Sequence, residues 1–220
     1  MDWCDCDGRL PARRDGQAVI WAGLMAALGF AAGAIALFSI GPEGMALSAL
    51  ALGLGLGGVA SLSSGPTGFA CLAGVGAVAA LLIFLSGRLP WLDRSIALLG
   101  QGPVVERPRV FGIRSLRAIL GAMALFTARL LSGHLTAGTV ATQGPGFACL
   151  FVFEVGLIRI GTGQGPAEMG LGGLCAGMGA AAFVLLSAPG ASLLVAVMAC
   201  GIPALAMVAL ARATPWEISA

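Results

Sequence analysis

Residues 44–87 read GMALSALALGLGLGGVASLSSGPTGFACLAGVGAVAALLIFLSG, and no side chain in the run carries a charge. At about 1.5 Å per residue, one straight helix of this length would be about twice as long as the hydrocarbon core of a bilayer is thick. The run must therefore fold back once. Ser63-Ser64-Gly65-Pro66-Thr67-Gly68 is a cluster of turn formers and marks the place. Two membrane-crossing helices are predicted, near 44–62 and 67–86.

The same pattern extends outward in both directions. Residues 17–40 are uncharged and long enough for one crossing, and 168–211 hold no charge after Glu168. The second of these stretches is again about two spans long and breaks at Ser187-Ala188-Pro189-Gly190, which predicts helices near 168–187 and 190–211. Pro203 should kink the last helix, which a lipid-embedded helix tolerates when its neighbours satisfy the freed carbonyl. Two further helices are expected near 115–132 and 146–161, separated by a polar stretch through His134 and Gln143. The expected fold is all-α, a polytopic transmembrane bundle of about seven helices. Its organisation would be a polar tail at 1–16, a three-helix membrane unit at 17–87, an arginine-rich loop at 88–114, a four-helix membrane unit at 115–212 and a tail at 213–220. The first apolar run reads as a retained helix, because residues 1–16 are polar and acidic and no clean small-residue cleavage site follows.

Composition supports lipid as the solvent. The 220-residue chain is 58% hydrophobic and 10% charged, and its mean hydropathy is +0.97. Soluble domains carry about 25% charged residues. A soluble domain of this size leaves much of its surface in water and could not present so much apolar area there. A net charge of +2 without interleaved aromatic and basic residues excludes nucleic acid as a partner. The expected partner is the lipid bilayer, with other membrane protein subunits as a second class. All 12 basic residues are arginine and 35 residues are glycine, which reads as a GC-rich coding bias, and the expected location is a bacterial cytoplasmic (inner) membrane.

Loop 88–117 carries Arg88, Arg94, Arg107, Arg109, Arg114 and Arg117, so it should be cytoplasmic. Arg159 and Arg212 then fall on the same side, with the C-terminus. Arg9, Arg13 and Arg14 would also prefer the cytoplasm, but three crossings between tail and loop put the tail outside, unless the glycine-rich segment Gly53 to Gly58 is a re-entrant hairpin that does not span; seven spans with an external tail is the favoured expectation. Leu89 to Leu99 mixes Trp91 with charges and leucines and suits a short interfacial helix.

Internal echoes are present. Residues 65–72, GPTGFACL, resemble 144–150, GPGFACL, and 41–45, GPEGM, resemble 165–169, GPAEM. Each places Gly-Pro at a helix start, where proline's missing N–H costs nothing. Three-helix units in tandem would make a 3+3 inverted repeat plus one helix, a layout found in many transporters.

Few residues can carry chemistry. Arg129 and Glu154 interrupt apolar segments, and ionisable groups at membrane depth usually face a bundle interior, a partner or a cavity. Arg129 is roughly 18 Å along its helix from Arg117, and Glu154 roughly 12 Å along the next from Gly146, so their depths coincide and an ion pair is expected. His134, the single histidine, excludes bis-histidine haem ligation within this chain and is a candidate proton gate. Cys4 and Cys6 with Asp2, Asp5 and Asp7 form a weak thiolate metal motif that lacks a second Cys pair. No metal site or cofactor is expected.

Ser64-Gly65 followed downstream by His134 resembles the serine–histidine dyad of rhomboid intramembrane proteases over a few residues. Their Gly-x-Ser-Gly pattern would need glycine where Leu62 stands, and Pro66 follows at once. Three functions are thus expected in order: a small transporter or permease lined by Arg129, Glu154 and His134; a non-catalytic subunit or assembly factor of a larger membrane complex; and, last, an intramembrane enzyme.

Overall fold

The computed structural model describes residues 11–39, 41–88, 111–135, 140–163 and 166–188. These form five helices: α1 (Pro11–Phe38), α2 (Pro42–Arg88), α3 (Phe111–Leu135), α4 (Val140–Thr162) and α5 (Pro166–Ser187), with no strand among the described residues. All five are long and apolar enough to cross a membrane. Of the loop expected at 88–114, residues 89–110 lie outside the described residues, as do the seventh span expected at 190–211, residues 1–10 and the tail 213–220; α1 takes in residues 11–16 of the expected N-terminal tail, and α3 takes in residues 111–114 of the expected loop.

Helix α2 is double-length, with an apolar stretch of 43 residues. It breaks at Gly65, whose φ of 64° and ψ of −155° leave the helical region. Only glycine adopts that backbone cheaply, and the proline that follows disfavours a helical residue before it. Hydroxyls cover carbonyls around the break: Ser61 Oγ donates to Gly58 O at 2.7 Å, Ser63 Oγ to Ala60 O at 3.2 Å and Thr67 Oγ1 to Ser64 O at 2.8 Å. The two arms then run antiparallel in close contact. A methyl group added at Gly53 would stand 2.9 Å from the Gly76 Cα, and one at Gly57 would stand 3.0 Å from the Phe69 carbonyl oxygen.

Four elements close a ring: α1 packs on α2 and α4, and α5 packs on α4 and α2, while α3 lies against α4 on the outside. Neighbouring residues fix the directions. Gly33 meets Phe151 and Val152 while Arg159 reaches Ala36 and Ser39, so α1 and α4 run parallel. Gly156 faces Gly172 and Ala176 while Gly179 faces Phe153, so α4 and α5 run antiparallel. One end of the bundle therefore gathers the α1–α2 turn, Arg88, the start of α3, Thr162 and the start of α5. The other end holds Gly65, His134 and Ser187.

The interior is small and the exterior large. Ala32, Ala36, Ala49, Ala60, Ala128 and Ala182 are buried, whereas Trp21, Val78, Leu82, Ile119, Met123 and Phe126 are exposed. Lipid removes the hydrophobic drive for helices to associate, so close van der Waals contact between small residues takes its place. Where larger side chains do enter, Phe30 packs between Phe147 and Phe151, with centroids 5.6 and 4.6 Å away.

Two expectations change. Helix α4 begins at Val140, more than a turn before the expected start, with Pro145 inside it. A proline this near a helix start frees few carbonyls. The sequence echoes also take a different meaning. The second arm of α2 and α4 start from the same end, as do the first arm of α2 and α5. The echoing segments thus open helices of the same direction, in exchanged order along the chain, and do not pair as inverted partners.

At Gly156 an added Cβ would stand 2.3 Å from the Ala176 backbone nitrogen, whereas at Gly74 nothing lies within 4 Å. Alanine gains about 0.8–1.0 kcal/mol over glycine in helix propensity, and overpacking costs about 1–3 kcal/mol. Gly156→Ala is therefore expected to lower stability in detergent and Gly74→Ala to leave it unchanged or raise it. Equal responses in thermal unfolding would contradict the close α4–α5 crossing.

Candidate functional site: the arginine end of the bundle

Arg117 lies near the start of α3 and is 4% exposed. Its Nε donates to Thr162 Oγ1 at 3.0 Å and its Nη2 to the Thr162 carbonyl at 3.0 Å. Nη2 also meets Glu168 Oε2 at 2.5 Å. Thr162 ends α4, and its hydroxyl donates to Ile158 O at 2.7 Å. Glu168 lies in the first turn of α5, where a carboxylate complements the N-terminal end of the helix dipole. One guanidinium thus ties the ends of three helices and also answers a carbonyl that α4 leaves open at its C-terminus.

Arg159, one turn before Thr162, is fully buried. Its Nη1 donates to the Ala36 carbonyl, to the Ser39 carbonyl at 2.8 Å and to Ser39 Oγ at 3.2 Å. These carbonyls end α1, where a cation is favoured. Its Nε and Nη2 are buried without a hydrogen-bond partner. Glu168 and Arg117 act on Arg159 through space. The charged side chains buried among the described residues are these two arginines.

Along α4 toward the opposite end, Glu154 Oε2 accepts from Thr127 Oγ1 of α3. The Thr127 hydroxyl also lies 3.0 Å from Met123 O. Arg129 is exposed on α3, and among the described residues no ion pair joins it to Glu154. Two residues further along a helix is a turn of about 200°, so Arg129 points away from the face that Thr127 presents. Similar depth along two helices leaves the direction around each helix undetermined, and that direction separates Arg129 from Glu154.

His134 is exposed in the last turn of α3. It shares no hydrogen bond with Ser64, whose hydroxyl is 3.5 Å from Ser63 Oγ. Cys4 and Cys6 lie outside the described residues, and among those described no group of three or more His, Cys, Asp or Glu is placed to hold a metal.

Two surface clefts are largely apolar. One, of about 230 Å³, lies between α1 and α2 beside Trp21, Met25 and Phe69. The other, of about 410 Å³, runs along α3 past Ile119, Met123 and Phe126. Neither is lined by a charged side chain.

In the sequence alone, Arg159 reads as an end-of-helix positive charge and Glu168 as a segment boundary. A usable signal existed: Arg159 stands in Val155-Gly156-Leu157-Ile158-Arg159-Ile160, with no other charge beside it. The class these features define is an all-helical bundle whose described helices are long and apolar enough to cross a membrane, with a buried polar centre at one end. Comparison of the chain with family models, curated proteins and solved structures finds no match.

Removing one member of a fully buried ion pair costs about 3–5 kcal/mol, and this pair, with Arg117 buried and Glu168 partly so, should approach that range. Arg117→Met and Glu168→Met should each destabilise the protein strongly, and the double substitution should cost less than their sum. A double-mutant cycle on unfolding in detergent measures the coupling, and strict additivity would show that the two groups act independently.

Proposed function

We propose that this chain is a small transporter or permease-like protein that moves an ion or small solute across a membrane. The observation that carries the reading is Arg159, a guanidinium with no exposed surface, set where α1, α4 and α5 meet and left with two unbonded nitrogens. Buried charge in membrane-depth helices is costly and usually marks a pathway or a recognition site. Glu154, on the same helix and bonded to Thr127, is a second polar station nearer mid-depth. Arg129 and His134 stand toward the opposite end of α3 and suit the outer mouth.

The proposed topology has seven crossings of a bacterial cytoplasmic membrane. Helix α2 supplies two and residues 190–211 the last. The arginine end and the C-terminus face the cytoplasm, and the N-terminal tail faces outward. The arginine-rich stretch 88–117 supports this orientation. A second reading, a non-catalytic subunit of a larger membrane complex, draws on the exposed face of α3, where Ile119, Met123 and Phe126 are each more than half exposed.

Purified protein in liposomes should release or take up small ions or metabolites. Arg159→Lys should cut that flux sharply, and Glu154→Gln should change its pH dependence. Absence of flux for every solute tried, together with partners retained through mild-detergent purification, would favour the subunit reading. Orientation is tested separately. A fluorescent reporter that folds only in the cytoplasm should light up when fused after Ala220 or within 95–105, and stay dark when fused before Met1.

A further inference from the structure

The free atoms of Arg159 define a particular ligand geometry. Nε–H and one Nη2–H point in parallel from the same side of a guanidinium, so together they form the fork that engages two oxygens of one anion. Arg117 uses this same edge on Thr162 and Glu168. In Arg159 it is Nη1 that meets the α1 carbonyls, while Nε and Nη2 together remain unbonded in a fully buried side chain. A buried donor without an acceptor is costly, and two on one edge of one charged group call for a shared partner.

Charge points the same way. Arg117 and Arg159 are the buried charged side chains among the described residues, and Glu168 is the carboxylate beside them. Glu168 bonds Arg117 and acts electrostatically on Arg159. Among the described residues, the two buried guanidinium groups meet one bonded carboxylate here, that of Glu168. The start of α5 adds backbone N–H groups and the positive end of a 22-residue helix.

We propose that the Nε/Nη2 edge of Arg159 is the binding site of a small forked oxyanion, with a carboxylate or a phosphate oxygen pair as the recognised group. The assignment rests on the transport reading only in taking Arg159 as the polar centre, and it names the substrate class as anionic. The bound oxyanion completes the guanidinium's hydrogen bonds and supplies negative charge beside it. Glu168 is its built-in competitor, since it already supplies negative charge to the pair of arginines.

Binding is read on the full chain in detergent, as the unfolding temperature against concentration of sodium formate, of inorganic phosphate and of sodium chloride at equal ionic strength. A ligand that binds only the folded state raises that temperature saturably. Formate or phosphate should do so and chloride should not, since a spherical ion cannot use both N–H groups of the fork. A response to formate alone identifies a planar carboxylate, and a response to phosphate identifies the larger group. Arg159→Lys keeps the charge but loses the fork, and should weaken half-saturation by about tenfold or more. Should that variant not fold, Glu168→Gln, which keeps Arg159 and removes the competitor, should bind formate or phosphate more tightly than the wild type. Silence of both oxyanions on wild type and Glu168→Gln, an equal chloride response, or an unchanged response in Arg159→Lys overturns the proposal. Oxyanion binding without any flux in liposomes would sink the transport reading alone. Flux of a cation or neutral solute without oxyanion binding would sink this inference alone.

Discussion

Backbone touches backbone where α4 crosses α5, and the rest of the bundle is arranged around that approach. Gly156 and Gly172 face each other so closely that a methyl group on either would fall within 3 Å of the other helix's main chain. In lipid, helices gain little by hiding apolar side chains from one another, so they associate through close contact of small residues. Helix α4 makes such contact with α5 on one side and lets Gly33 of α1 come up against Val152 on another. It is the most buried of the five spans, and it carries both Glu154 and Arg159. Glu154 and Arg159 are therefore both held by the most tightly enclosed helix among those described.

That enclosure explains how two guanidinium groups are tolerated at the arginine end. Helices end with unsatisfied carbonyls, and at membrane depth no water takes them up. Arg117 answers the end of α4 and Arg159 answers the end of α1. Each side chain closes a gap that the fold would otherwise leave open. The bonds differ in completeness: Arg117 spends its forked edge on protein groups, whereas Arg159 keeps that edge in reserve.

Much of the architecture was legible in the residues. The uncharged run 44–87 and its turn at Gly65 specified a hairpin, because length and hydropathy follow directly from composition and helical rise. The site was legible only in part. Arg129 and Glu154 stood out because each interrupts an apolar run, and their depths matched. The structure instead gives Glu154 to Thr127, a hydroxyl with no sequence signal of its own. Arg159 was hidden by its position near a helix end, where arginines commonly reach the headgroups. Its burial depends on α1 ending beside it, a contact between residues more than a hundred positions apart that no local pattern encodes.

The hinge of α2 has a bearing on how the chain enters its bilayer. The tip between the arms has no charge to drag through hydrocarbon, and Ser61, Ser63 and Thr67 tuck their hydroxyls back onto nearby carbonyls. Both arms can therefore partition together during synthesis as one preassembled loop, already zipped by Gly53 and Gly76.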